Sequence, residues 1–245
     1  MKLKKFYNSI KSKKTKYFFD SKDIYQEINN YLLSKKNFSK VLDLGCGDLR
    51  NLKYLKNLKF KNYKAVDWVQ PPFKNLKNPK ITFVKKDLKK FSTLEKFDLI
   101  FLIGTIEHFK KPNIFLKKIK GFMKSGSLLV ISHPNYYNIR GSILLTCKYL
   151  FEKKISLSDV KYFYPEEVSN ILKKLNFKKI TVKSIRNETN KNDINYLDLK
   201  NRLPKILGES KKKQINEFLK KYQIMKKYLK SDKLSGQNIL IFAHS

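Results

Sequence analysis

The sequence predicts an α/β fold, in which a mostly parallel sheet carries helices on both faces. Short, strongly apolar segments alternate with segments of helical periodicity from about residue 38 to residue 135. One of them, residues 41–44, is apolar enough for a strand buried on both faces and runs directly into two glycines. A chain of 245 residues suits one such domain. We therefore expect a single domain over residues 17–245, preceded by a basic tail over residues 1–16.

The turn after the first strand is the part of the sequence that points to a ligand. Gly45 and Gly47 permit a sharp turn and a close approach to the backbone. A helix predicted from about Leu49 to Leu58 would then present its free N-terminal amides. A phosphate-binding loop would need Gly-Lys-Ser/Thr, which is absent, and a dinucleotide fingerprint would have a third glycine at Arg50.

The remaining elements follow from periodicity and end signals. Further strands are predicted at residues 63–67, 81–84, 97–103, 128–132, 180–185 and 238–243. Helices are predicted at residues 17–36, 115–123, from Pro165 towards Phe177, and at about 211–229.

The motif Asp-Leu-Gly-Cys-Gly-Asp at residues 43–48 closely resembles the first motif of class I S-adenosylmethionine (SAM) dependent methyltransferases. That family usually has another glycine where this chain has Leu49. The pair Glu107-His108 makes the chain similar to small-molecule methyltransferases related to ubiquinone-biosynthesis enzymes. Residues 162–168 resemble a sequence motif of methyltransferases in cell-surface polysaccharide pathways. The resemblance implies a Rossmann-like seven-stranded sheet, mostly parallel with an antiparallel last strand.

The resemblance also implies SAM as the cofactor. Asp67 ends the second strand, where a carboxylate can accept hydrogen bonds from two ribose hydroxyls. Asp87 takes the place of the family's acceptor for the adenine amino group, with the backbone of Leu88 against the ring, and Trp68 lies either on the adenine or in the core. The implied cofactor-binding residues are Asp43, Gly45, Cys46, Gly47, Asp67, Trp68, Asp87, Leu88, Ile103 and Gly104.

Two histidines are candidates for the catalytic base. His108 and His133 both follow predicted strand ends, and imidazole titrates near neutral pH. We expect a small-molecule or lipid/saccharide-linked acceptor, methylated at oxygen. The two cysteines and three histidines are scattered, so we predict no metal and a reduced, cytoplasmic setting.

Two segments interrupt the predicted sheet. Residues 136–160 follow the fifth strand and form either a lid over the acceptor or a packing helix. Residues 187–236 are polar and lysine-rich, and form a helical insertion that either binds a partner or an anionic surface, or packs on the domain.

The net charge of +35 suggests nucleic-acid binding, so an RNA methyltransferase is one alternative. Only four of the 55 basic residues are arginine, which favours a compositional origin and, at most, weak association with anionic surfaces. A non-catalytic SAM-binding accessory protein is the other alternative. No apolar run reaches the roughly 20 residues that span a bilayer, and the N-terminus has no secretory signal pattern.

Overall fold

The computed structural model describes residues 22–34, 37–71, 78–156, 159–185, 194–228 and 233–245. The predicted basic tail at residues 1–16 and the start of the first predicted helix lie outside these ranges.

In the ranges given above, seven strands form one sheet in the order β3-β2-β1-β4-β5-β7-β6. Neighbouring strands from β3 to β5 are parallel, whereas β7 is antiparallel to both β5 and β6. This confirms the predicted fold and its antiparallel last strand. The strands span Phe38–Leu44, Phe60–Asp67, Ile81–Lys85, Phe97–Ile103, Met123–Pro134, Lys178–Ile185 and Asn238–His244. The helices α1 to α7 span Lys22–Leu33, Arg50–Tyr54, Pro112–Gly121, Ile139–Tyr149, Pro165–Lys174, Ile194–Leu207 and Lys212–Tyr228.

The central strands β1 and β4 are apolar on both faces because helices cover both sides of the sheet. Leu42 and Ile100 belong to a core shared with α3 and α5 on one face. Val41 and Leu99, their chain neighbours, belong to a second core shared with α1 on the other face. Side chains alternate between the faces of a strand, so a strand buried on both sides loses the polar alternation of a surface strand.

Helix α2 is shorter than predicted, because tertiary contacts replace its last turn. It ends at Tyr54, although Leu55 and Leu58 are still buried as the predicted face requires. Asn57 instead bonds to α1: its backbone N–H donates to Asn29 Oδ1 at 3.1 Å.

Strand β5 begins five residues before its predicted start. Residues 124–127, which lie between the helix predicted at 115–123 and the strand predicted at 128–132, extend the strand. Their partners come from the end of the chain: the backbone N–H of Ser245 donates to the Ser127 carbonyl, and the Ser127 N–H donates to Ser245 Oγ.

Helices α4, α6 and α7 pack together and form what we call the helical cap. Its shared core includes Leu144 of α4, Leu199 of α6 and Leu219 of α7. The polar composition of residues 187–236 did not predict α6. Helix α4 follows β5, and α6 follows β6, which runs in the same direction as β5 because both are antiparallel to β7. The cap therefore starts from the edge of the sheet where β1, β2 and β4 also end. Among the described residues, none of the helices has the length and apolarity needed to cross a bilayer.

Candidate functional site

The two glycines after β1 have left-handed backbones but different surroundings. Gly45 has φ +80°, and its N–H donates to the Val66 carbonyl of β2 at 2.9 Å. A Cβ on Gly45 would lie 2.4 Å from Thr105 Oγ1, whereas one on Gly47 (φ +53°) would meet nothing within 4 Å among the described residues. Gly45 is therefore required by packing inside the protein, and Gly47 lies beside open space where a ligand can approach.

Leu49 also has a left-handed backbone, with φ 64°. This is the position at which the resembled family usually has a glycine. The backbone conformation is thus retained without the glycine, and the Leu49 side chain is 2% exposed in the core beside α1. Burial of this side chain offsets a backbone strain of about 1–2 kcal/mol.

Asp67 joins the end of β2 to the glycine turn. Its Oδ2 accepts a hydrogen bond from the Gly47 N–H at 2.9 Å, and its Oδ1 accepts one from the Val69 N–H at 3.0 Å. Each carboxylate oxygen has a second lone pair that can accept from a hydroxyl. Trp68 follows directly and is partly exposed. The carboxylate therefore lies against the turn, and it retains lone pairs that a ligand can use.

Asp43 lies beneath the turn and is buried at 1% exposure. The Tyr63 hydroxyl donates to Oδ2 at 2.5 Å, and Asn51 Nδ2 donates to Oδ1 at 2.9 Å. Burial raises the pKa of Asp43 to about 7, partly offset by these two donors. Asp43 thus holds the start of α2 against β2 through side chains.

The other predicted cofactor residues are spread along the same edge. Asp87 is exposed, and its Oδ1 accepts from the Lys89 N–H at 2.9 Å, while Leu88 is partly buried. Ile103 is partly buried and Gly104 is exposed with φ +59°. The Cys46 side chain is in the core, where burial raises the thiol pKa, so only its backbone can face a ligand.

These residues fit SAM. Open space adjoins Gly47, and the carboxylate of Asp67 lies against this glycine as a hydrogen-bond acceptor. A second carboxylate, that of Asp87, follows β3 and is exposed. By contrast, an open cleft of about 760 Å³ beside Glu27 and Lys183 contains none of the predicted site residues.

His108 belongs to a cluster of titratable groups at the end of β4. Its Nδ1 lies 3.6 Å from Asp159 Oδ1, and ligand-type atoms of Glu107, His108 and Asp159 all lie within 4.8 Å of one another. Tyr136 donates from its hydroxyl to Asp159 Oδ2 at 3.2 Å. The His108 side chain is 26% exposed. This imidazole can therefore reach a ligand while a carboxylate stabilises its charged form.

Glu107 is the buried member of that cluster. It is 4% exposed, and its Oε2 has no hydrogen-bond partner in the part of the chain that the structure describes. Burial, reinforced by the charge of Asp159, raises its pKa well above the ordinary value. Its Oε1 lies 3.8 Å from the position of a Cβ on Gly104, so the carboxyl group borders the mouth of the site.

His133 has a different environment from His108. It is 1% exposed, its ring lies 5.1 Å from that of Phe163, and its Nδ1 is 2.9 Å from the Pro134 carbonyl oxygen. Burial lowers its pKa to about 4. The imidazole is therefore neutral at physiological pH, and is enclosed in the core beside α5.

Asp159 and Tyr136 were missed by sequence reasoning. Each lies in the predicted lid, and their relation to His108 depends on how residues 136–160 fold back on β4. The backbone N–H groups of Val160 and Lys161 donate to the Glu107 carbonyl at 3.0 and 3.1 Å, which fixes this return. No local spacing in the sequence signals that pairing.

Comparison with known proteins gives several matches. (S)-coclaurine N-methyltransferase of Papaver somniferum is 33% identical over 106 residues, covering 40% of this chain and 30% of that protein. Malonyl-(acyl-carrier protein) O-methyltransferase 2 of Ilyobacter polytropus is 23% identical over 147 residues, covering 56% of this chain and 57% of that protein. The chain therefore spans less than two thirds of either relative.

The fold matches solved structures over most of the chain. The N-methyltransferase NodS from Bradyrhizobium japonicum WM9, in complex with S-adenosyl-L-homocysteine (SAH), superposes with a TM-score of 0.55 at 17% identity. That match covers 75% of this chain and 91% of NodS. A family model described as "Methyltransferase domain" matches residues 17–182, which is more than half of the chain. The protein therefore belongs to the methyltransferase-domain family.

Proposed function

We propose that the protein is a SAM-dependent methyltransferase acting on a small-molecule acceptor. The observation that carries this is the pairing of Asp67 with Gly47 beside open space, because it combines a ribose-type acceptor with a turn that a ligand can approach. When bound, SAM supplies a methyl group activated by a positively charged sulfur. The chain's own residues have to orient the acceptor and exclude water.

We assign the catalytic base to His108 rather than His133. His108 is partly exposed beside Asp159, whereas His133 is enclosed and its pKa is lowered to about 4. Removing a proton from the acceptor leaves His108 positively charged, and Asp159 stabilises that charge. The neighbouring Thr105 packs against Gly45, so His108 and the glycine turn lie at the same edge of the sheet.

Oxygen is the acceptor atom expected from the sequence, and nitrogen is the second candidate. The nitrogen alternative is supported by the N-methyltransferase relatives and by the carboxylate of Asp159, which would attract a protonated amine before His108 removes its proton. A lipid- or saccharide-linked acceptor remains part of the proposal. Methylation screens with paired hydroxyl and amine acceptors distinguish the two atoms.

The cofactor is tested by calorimetry with SAH. Asp67→Asn removes an ionised acceptor beside the turn, and we expect affinity to fall by about 1–3 kcal/mol. Asp48→Asn is the matched control, because Asp48 is an exposed carboxylate near the same turn that pairs with Arg50. No binding of SAH or SAM to the unaltered chain would reject the cofactor assignment, whereas binding without turnover in the acceptor screens would favour the accessory-protein alternative.

The base is tested with His108→Gln. We expect turnover to fall by about 100-fold or more at neutral pH, with SAH affinity unchanged. Full turnover at every pH would reject the assignment. Filter binding at rising salt tests the RNA alternative, since tight binding that persists at physiological salt would favour it.

A further inference from the structure

The end of α4 exposes three consecutive large apolar side chains. Tyr149, Leu150 and Phe151 are 66%, 74% and 57% exposed. The same helix buries Leu144 and Cys147 in the cap. The three exposed side chains thus extend outward from a packed helix, and we call residues 149–151 the apolar tip. Single exposed apolar residues are common on soluble proteins, but adjoining ones mark an interaction surface.

The apolar tip is held in place by contacts on both sides. The Leu150 N–H donates to the Thr146 carbonyl at 2.9 Å, and the Lys153 N–H donates to the Cys147 carbonyl at 3.0 Å. Ile155, just beyond it, is 3% exposed and belongs to the core of the cap. The backbone of the tip is therefore held in one position, and binding has to order only its side chains.

Lysines flank the tip on both sides. Lys148 precedes it, with its Nζ 4.8 Å from the ring centre of Tyr149 and 5.3 Å from that of Tyr162. Lys153 and Lys154 follow and are exposed, with Glu152 as the one acid in the run. Apolar and aromatic side chains among lysines match an interface of acyl chains beneath anionic headgroups, where lysine reaches the phosphates.

We propose that the apolar tip docks the protein onto an anionic membrane surface. Leu150 and Phe151 enter the boundary between headgroups and acyl chains, and Lys148, Lys153 and Lys154 contact lipid phosphates. The net charge of +35 attracts the whole chain to such a surface, and the tip determines which face it presents. This goes beyond the proposed function, and does not depend on SAM binding or on turnover.

The test is flotation of the full chain with vesicles of phosphatidylcholine, with or without phosphatidylglycerol, at physiological ionic strength. We expect binding only with phosphatidylglycerol. The double variant Leu150→Ser/Phe151→Ser should lose roughly tenfold or more in partitioning, and Lys153→Gln/Lys154→Gln should lose a similar factor. These side chains are exposed, so the unfolding temperature of each variant should match that of the unaltered chain.

The matched control is Leu94→Ser/Ile114→Ser, which removes two exposed apolar side chains elsewhere. It should bind like the unaltered chain. Equal binding by Leu150→Ser/Phe151→Ser and by this control would overturn the proposal, because the tip would then have no particular part in holding the protein on the vesicle. Failure of the unaltered chain to bind would also overturn it. So would a change in molar mass by light scattering in the tip variant alone, since a second copy would then occupy the tip.

Discussion

Arg140 and Asp198 form a buried ion pair that joins the two inserted segments of the chain, with Arg140 Nη1 3.1 Å from Asp198 Oδ2. Arg202 uses the other carboxylate oxygen at 3.1 Å and also donates to the Ile155 carbonyl. The Arg140 Nη2 donates to the Asn135 carbonyl at 3.2 Å. One carboxylate therefore fixes α4, α6 and the segment after α4 relative to the end of β5.

Asp198→Asn should destabilise the protein by about 3–5 kcal/mol, because it leaves a buried guanidinium without its countercharge. Urea unfolding gives the free energy directly. Glu27→Gln is the control, since it breaks the exposed pair with Lys183 and should cost less than about 1 kcal/mol. Equal costs at the two sites would mean that the buried pair does not join the cap to the sheet.

Alanine at the two turn glycines should differ in its main effect, which is a larger loss of stability at Gly45 and weaker SAH binding at Gly47. Gly45→Ala adds a clash with Thr105 to the backbone strain, so we expect a loss of about 2–4 kcal/mol in unfolding free energy. Gly47→Ala adds strain alone, about 1–2 kcal/mol, but places a methyl group in the open space and should weaken SAH binding at least as much as Asp67→Asn does. Thr105→Ala should partly restore Gly45→Ala; no restoration would contradict the clash.

The protein should be more stable with glycine than with alanine at position 49. Both substitutions lose a buried leucine side chain, at about 2–5 kcal/mol, but only alanine retains the left-handed strain. We expect the free energy of unfolding of Leu49→Gly to be higher than that of Leu49→Ala by about 1 kcal/mol. At the exposed helical position Glu217 the order should be reversed, because alanine is the better helix former. The same order at both positions would refute the backbone explanation.

The burial of His133 makes stability depend on pH. Its pKa is lowered from 6.5 to about 4 in the folded chain, so the unfolded chain takes up the proton first as the pH falls. The contribution of the neutral His133 to the free energy of unfolding is complete above about pH 6.5 and is lost as the pH falls to about 4. As the pH falls over that range, the free energy of unfolding of the unaltered chain should decrease by about 3 kcal/mol more than that of His133→Gln. Unfolding at each pH measures this difference.

Asp43 has the opposite effect on the pH dependence of stability, so its contribution has to be measured separately from that of His133. Its pKa is raised to about 7, so the folded chain retains the proton longer, and stability falls as the pH rises from about 4 to about 7. The two slopes partly cancel in the unaltered chain. Difference curves against Asp43→Asn and His133→Gln should therefore slope in opposite directions below about pH 6.5, and curves that slope in the same direction would contradict one of the two assignments.

The sequence predicted the features that depend on local pattern. Strand β4 lies at its predicted residues 97–103, because a continuous apolar run bounded by polar residues has few other solutions. The glycine turn and Asp67 were found for a similar reason, since strand ends in a parallel sheet meet at one edge.

Features that depend on distant partners were not predictable. The early start of β5 needs Ser245, the early end of α2 needs Asn29, and the environment of His108 needs Asp159. His133 and His108 follow similar strand ends in the sequence, yet only the fold distinguishes a buried imidazole from an accessible one. Local pattern carries no information about which loop returns over which strand.

The two ends of the inserted segment between β6 and β7 are fastened to the sheet. Asn135 Nδ2 donates to the carbonyls of Leu234 and Gly236, both at 2.7 Å, and the Gly236 N–H donates to Ser184 Oγ at 2.7 Å. Gly236 also has no room for a Cβ, which would lie 2.4 Å from the Ile185 carbonyl oxygen. The hairpin is thus closed at its base whatever the length of the chain beyond it. A change in the length of that segment can therefore be accommodated without a change in the pairing of the strands or in the glycine turn.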